Sequence, residues 1–172
     1  MFQEKLDMLL HSVLFALVVG LATARGAFAG DWPEILGPTR SGRAESEQLA
    51  SDWTEKPTQV WKKKVGEGYA GPAVVGNRVF LFHRENGNDV LDCLGAQDGS
   101  RQWRLQWPSR YRGGIDSDRG PRCVPVVRDG RVLVLSAAGE LHCADVAGRK
   151  RWSRNLAKDF GALDGYFGFG SS

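Results

Sequence analysis

Tryptophans at positions 61, 103 and 152 recur at intervals of 42 and 49 residues, and each closes a similar phrase. A period of this length is that of four-stranded propeller blades, which stack because a single blade cannot bury its own apolar faces. Residues 72–82 (PAVVGNRVFLF) slide 53 places onto residues 125–135 (PVVRDGRVLVL). Each copy is two short β-branched or apolar runs parted by a turn, Gly76-Asn77 in one and Asp129-Gly130 in the other. That pattern predicts a hairpin in both.

The second half of the unit repeats as well. Leu91-Asp92-Cys93 corresponds to Leu141-His142-Cys143, and the turns Asp98-Gly99 and Ala147-Gly148 precede Trp103 and Trp152. One residue is missing from the second copy between cysteine and turn; a loop absorbs such a change, whereas a strand interior would turn its faces over. The fold class therefore reads as all-β, a partial propeller of four-stranded antiparallel blades, with two complete units and the start of a third after Trp152. The recurring tryptophan fills the gap between stacked sheets. Residues 57–61 (PTQVW) carry a blade-closing tryptophan ahead of the first hairpin pair, and suit an N-terminal strand that completes the last blade of a closed ring. Propellers close with about four to eight blades, so the chain reads as an N-terminal piece of a longer protein, or as one of several copies that form a ring together.

Ahead of the repeats, an apolar run over residues 13–24 is followed by Ala27-Phe28-Ala29, the small-x-small pattern after which signal peptidase cuts. This places a helical export signal at 1–29, cleavage between Ala29 and Gly30, an N-terminal extension at 30–56 and the incomplete repeat domain at 57–172. A membrane anchor is the competing reading, but the apolar core falls short of the roughly 20 residues of a spanning helix. The net charge of +3 comes from arginines scattered among acidic residues, which leaves no basic stripe for nucleic acid.

Residues 141–152 match the phrase Leu-x-x-x-Asp-x-x-x-Gly-x-x-x-Trp, with Asp145, Gly148 and Trp152 in register apart from one shortened turn. The first copy departs from it, with Gly95 where the aspartate would stand. On these residues, and on Asp31-Trp32-Pro33 with the following Leu36-Gly37-Pro38-Thr39-Arg40-Ser41-Gly42, the chain resembles the pyrroloquinoline-quinone-like (PQQ-like, quinoprotein-type) β-propeller repeat proteins of secreted bacterial type. The resemblance covers nearly everything after the leader and implies a periplasmic or secreted protein. That family holds quinone-dependent dehydrogenases and also the non-enzymatic propeller subunit of the outer-membrane protein assembly machinery, so the resemblance bears on fold more than on function.

A dehydrogenase of this kind is expected to show a vicinal cysteine pair over its quinone, and acidic and amide ligands for calcium; Cys93, Cys123 and Cys143 include no adjacent pair. Cys93 and Cys143 hold equivalent inner-blade positions, where a small apolar side chain is explanation enough. A disulfide involving Cys123 is left open. The most chemically dense stretch is the insertion at 110–122, which carries Tyr111, Arg112, Asp116, Asp118, Arg119 and Arg122. Two carboxylates at alternate positions suggest calcium, and the arginines suggest an anionic ligand or an acidic partner surface. The competing reading is a polar loop whose aspartates and arginines pair with one another, since a calcium loop takes more oxygen ligands than two carboxylates supply. His83 and His142 stand singly in different strands, and no catalytic, cofactor-binding or metal residue is assigned. The expected function is an exported, non-enzymatic propeller that binds or scaffolds a protein or polymer partner, without a stable membrane span after cleavage. The alternatives are part of a PQQ-dependent oxidoreductase, which would bring PQQ and calcium, and a carbohydrate-binding or carbohydrate-cleaving propeller.

Overall fold

Short apolar runs and tight glycine turns produce the same hairpin pair twice. The computed structural model describes residues 30–44, 47, 56–114, 117–163 and 165–170; the expected export signal lies outside them. Strands β1 (Ala73–Val75), β2 (Arg78–Glu85), β3 (Asn88–Gly95) and β4 (Arg101–Pro108) form one antiparallel sheet in that order. Strands β5 (Val126–Arg128), β6 (Arg131–Leu135), β7 (Glu140–Asp145) and β8 (Lys150–Asn155) form a second with the same topology. The two units are the antiparallel blades expected from the repeat. The hairpin at Asp129-Gly130 has both residues at positive φ, 48° and 70°, the twist that suits a two-residue connection between strands.

The repeat extends to an irregularity. Pairing between β3 and β4 shifts register between Cys93 and Leu94, and pairing between β7 and β8 shifts between Cys143 and Ala144. The residue missing from the second unit falls beyond this bulge, in the turn, where it leaves the strand faces unchanged. Gly95 is explained by the same turn. A Cβ at residue 95 would lie 2.6 Å from Oδ1 of Asp98, which itself accepts from the amide of Ser100 at 2.9 Å. In the second unit Asp145 fills the turn instead, accepting from the amides of Ala147 and Arg149 at 3.1 and 2.9 Å. The longer turn of blade 1 has moved its carboxylate from position 95 to 98.

The core lies between the blades. Phe80, Phe82, Leu91 and Cys93 on one face of the first sheet pack with Val127, Val132 and Val134 of the second. On the far face of blade 2, Leu133, Leu135 and Leu141 are only half-buried and Trp152 is 42% exposed. Leu133 stands in blade 2 where the fully buried Phe80 stands in blade 1. Packing, and not composition, separates the two faces.

The N-terminal extension joins the blades. Trp32 and Val74 exchange backbone hydrogen bonds of 2.7 and 2.9 Å, and the carbonyl of Pro33 accepts from Val127 in β5 at 2.9 Å. The extension thus covers the otherwise unpaired edge of β1, the sort of edge that invites aggregation when left open. At the other end, Asn155 caps a short helix, α1 (Leu156–Phe160), by accepting from the amide of Lys158. The expected third unit is therefore represented by a helical turn and the loop after it, and by no strand among the described residues. Likewise residues 57–61 form no strand, although Trp61 is docked on blade 1 as described below. Among the described residues no helix is long and apolar enough to cross a membrane.

Candidate functional site

The repeat residues form an interlock between successive units. Trp61 donates from Nε1 to the carbonyl of Ala96 at 2.8 Å, and Trp103 donates to the carbonyl of Val146 at 3.1 Å. Ala96 and Val146 are equivalent, each directly following the third strand of its blade. Each indole also lies close against the turn glycine of the blade it touches: a Cβ at Gly99 would come within 2.7 Å of the Trp61 ring, and one at Gly148 within 2.7 Å of the Trp103 ring. Gly99 and Gly148 are therefore needed for close approach as well as for their positive φ. These residues hold the fold together and offer no chemistry.

Chemistry gathers at the opposite end of the strands, where the β2–β3 turn meets the insertion. A cleft of about 840 Å3 is lined by Glu67, Arg84, Asn86, Ser109 and the exposed Arg110, Arg112 and Arg119. Its floor is Arg84, which is 5% exposed. The Arg84 guanidinium donates to Asp89 at 3.1 Å, to the carbonyl of Tyr111 at 2.6 Å and to the hydroxyl of Ser109. Burial pushes the Asp89 carboxyl above its ordinary range, while the charge and hydrogen bond of Arg84 act to lower it. Arg110 and Arg112 make no ion pair or side-chain hydrogen bond among the described residues, whereas Arg119 lies 3.7 Å from Glu67.

The remaining insertion residues are engaged in holding the loop. Asp118 accepts from the amides of Gly68 and Gly120 at 3.0 and 2.8 Å and pairs with Arg122 at 3.0 Å. The Arg122 guanidinium sits 4.7 Å above the Tyr69 ring and donates to the carbonyls of Asp118, Gly120 and Phe167. Tyr111 is buried, with its hydroxyl 3.5 Å from the carbonyl of Tyr166. Asp116 lies outside the described residues. The structure thus brings Arg112 and Arg119 together in a cleft, and engages Asp118 and Arg122 in a clamp that holds the loop.

Sequence reasoning missed two buried charge networks. Besides the Arg84–Asp89 pair, Asp92 in β3 accepts from Arg104 at 2.8 and 2.7 Å and from His83 at 3.1 Å, and Arg104 continues to Glu85. The amide of Gly66 donates to Nδ1 of His83 at 3.0 Å. Nε2 therefore carries the ring hydrogen and donates to Asp92. Burial raises the Asp92 carboxyl, but the hydrogen bonds and charges of Arg104 and His83 outweigh it and hold it well below the usual range. Both nitrogens of His83 are engaged, so its imidazole has no free lone pair to offer as a base. The signal that could have found it is Asp89 and Asp92 standing in an otherwise apolar strand, since a buried charge requires a partner.

Among the described residues, the surroundings of Asp118 do not suit calcium. The Asp118 carboxylate is neutralised by Arg122 and hydrogen-bonded by two amides, which leaves little affinity for a divalent cation that takes six to eight oxygens. No group of three His, Cys, Asp or Glu among the described residues is placed to hold a metal ion. Cys93 and Cys143 are buried free thiols, one in each blade, and burial pushes the Cys93 thiol up to about 11.

With two like blades and their interlock established, comparison with known proteins fixes the family. The family model described as outer membrane protein assembly factor BamB matches residues 43–165. The chain belongs to this family of PQQ-type propeller repeats. Beyond the BamB family model, the chain is similar in structure to the quinohemoprotein alcohol dehydrogenase of Comamonas testosteroni, at 19% identity and a TM-score of 0.55, over 78% of this chain and 21% of that one. It is also similar to BamB from Moraxella catarrhalis, at 22% identity and a TM-score of 0.40, over 56% of this chain and 26% of that one. At 19% identity the likeness to the dehydrogenase concerns the fold alone, and the chain spans about a quarter or less of each of these structures. None of the curated proteins compared with the chain matches it.

Proposed function

We propose that this chain is part of an exported, non-enzymatic β-propeller that holds a protein partner outside the cytoplasm. The observation that carries the reading is the cleft between the β2–β3 turn and the insertion, where Arg110 and Arg112 stand exposed without partners among the described residues. The groups suited to catalysis are occupied in the frame instead: Asp92 and His83 by Arg104 and Gly66, and Asp118 by Arg122. The family's description as an outer membrane protein assembly factor supports a binding role and an envelope location. The Ala27-Phe28-Ala29 pattern supports export, and cleavage there would leave the new amino terminus of Gly30 beside the carboxylate of Glu47, with which the Gly30 amide makes a 2.7 Å hydrogen bond.

Two measurements test this. N-terminal sequencing of protein expressed in an exporting host is expected to begin at Gly30, and a retained Met1 in the membrane fraction would contradict export. Titration of the purified protein with pyrroloquinoline quinone and calcium is expected to give no alcohol-dependent dye reduction. Stoichiometric quinone binding with turnover would favour the oxidoreductase reading instead.

A further inference from the structure

We infer that the arginine-lined cleft takes an acidic peptide segment, with side-chain carboxylates received by Arg110 and Arg112 over the buried guanidinium of Arg84. This rests on the binding-module reading and names the chemistry of the partner. A guanidinium carries five N–H donors. In Arg84, which lines the cleft, three of them are directed to Asp89, Tyr111 and Ser109, and two are without a described partner. Among the described lining residues four arginines face one carboxylate, Glu67, which already lies near Arg119, while Arg84 is paired with Asp89 behind the lining. A concave site with an excess of one sign of charge concentrates ligands of the other sign, and planar guanidinium groups suit bidentate carboxylate recognition.

Size selects among anions. Water occupies about 30 Å3 in the liquid, so a space of about 840 Å3 holds far more than one hydrated inorganic ion. It falls within the range of sites that enclose ligands of several groups. Asn86 and Ser109 add polar side chains to the lining, and among the described lining residues the Tyr111 ring is the apolar contribution. An extended acidic segment matches that composition; a greasy helix face does not. The exposed rim arginines predict contacts that act mainly on encounter rate and are weakened by salt.

The test is fluorescence anisotropy of the purified protein with a labelled six-glutamate peptide, with inorganic phosphate as competitor. Saturable binding is expected, weakened severalfold between about 50 and 200 mM salt. Arg110→Glu with Arg112→Glu should weaken it about tenfold or more. A control with Arg128→Glu and Arg131→Glu makes the same change in net charge on the β5–β6 hairpin of blade 2, away from the cleft, and should leave binding within about twofold. Equal loss in both variants would reduce the effect to overall charge and overturn the inference. So would the absence of saturable peptide binding, or phosphate displacing the peptide at peptide-like concentrations. Quinone titration in parallel separates the failures: turnover with quinone ends the binding-module reading whatever the peptide does, while no peptide binding and no turnover ends this inference alone.

Discussion

Trp103 in blade 1 donates its indole hydrogen to the carbonyl of Val146 in blade 2, 3.1 Å away, and rests on the turn that holds Gly148. Trp61 stands in the same relation to Ala96 and Gly99. Trp152 occupies the equivalent place in blade 2 and is 42% exposed. The same side chain thus carries different energetic weight at its two later positions. Trp103→Ala is expected to cost about 3 kcal/mol, typical for truncating a packed aromatic. Trp152→Ala should cost less than about 1 kcal/mol in the same chain, as for a surface change. Denaturant titrations of both variants check this, and equal losses would contradict the interlock.

The turn glycines offer a sharper comparison. Gly130 has φ of 70°, and a Cβ added there would have nothing within 4 Å, so Gly130→Ala meets only the backbone cost of about 1–2 kcal/mol. Gly148 has φ of 86°, and a methyl there would also be driven into the Trp103 ring. Gly148→Ala is expected to lose about twice as much as Gly130→Ala, with a shift in tryptophan emission that Gly130→Ala lacks. Thermal unfolding followed by fluorescence reads both.

Acid should unfold the protein through Asp92. Its carboxyl is held below the ordinary value in the folded state, so its stabilisation is complete above about pH 4 and is lost as pH falls through the folded value. Asp145, held down to about 2 chiefly by the amide of Arg149, contributes to the same limb. Asp92→Asn is expected to cost about 3 kcal/mol at neutral pH, because Arg104 and His83 lose their buried partner. It should also make the decline in stability below about pH 4 shallower without abolishing it. Denaturant midpoints across that range are the measurement.

His142 sets a separate window. Its ring stacks on Trp107 at 4.2 Å, Nδ1 lies 2.7 Å from the Ser153 hydroxyl, and Nε2 has no hydrogen-bond partner among the described residues, with the Glu140 carboxylate 3.8 Å away. Burial, with the charge of Lys150 adding to it, lowers the imidazole to about 4. The unfolded chain binds a proton near pH 6.5 and the folded one near 4, so stability is complete above about 6.5 and falls as pH drops between those values. His142→Phe keeps the stack and removes the titration. Its stability should be nearly flat from about pH 6.5 to 5, where the parent protein declines, and parallel curves would rule His142 out as the source.

The tryptophan period, the paired hairpins and the missing turn residue were all legible in the sequence, because each follows from local rules that act over a few residues. A buried strand needs a short apolar or β-branched run, a two-residue turn needs positive φ, and a deletion must fall where no faces are turned over. The same reasoning reached Arg112 and Arg119 in the insertion but passed over Arg84, Asp89, Asp92 and Arg104. Charged residues at strand positions read as solvated until the register of β2, β3 and β4 places His83 and Arg104 on either side of Asp92.

What the sequence alone determined is the repeating unit: its strands, its turns, and the position of its tryptophan. Only the tertiary structure decided which copies of a repeated residue are buried and which arginines remain unpaired. Blade 2 covers Phe80 and leaves Leu133 half-buried, although the two hold the same place in their sheets. Asp118 and Arg122 neutralise each other at 3.0 Å, while Arg110 and Arg112, from the same loop, face the cleft without a partner among the described residues. The physical reason is range. Backbone conformation is set by neighbours in sequence, but burial and charge pairing depend on which distant segments stacking brings together.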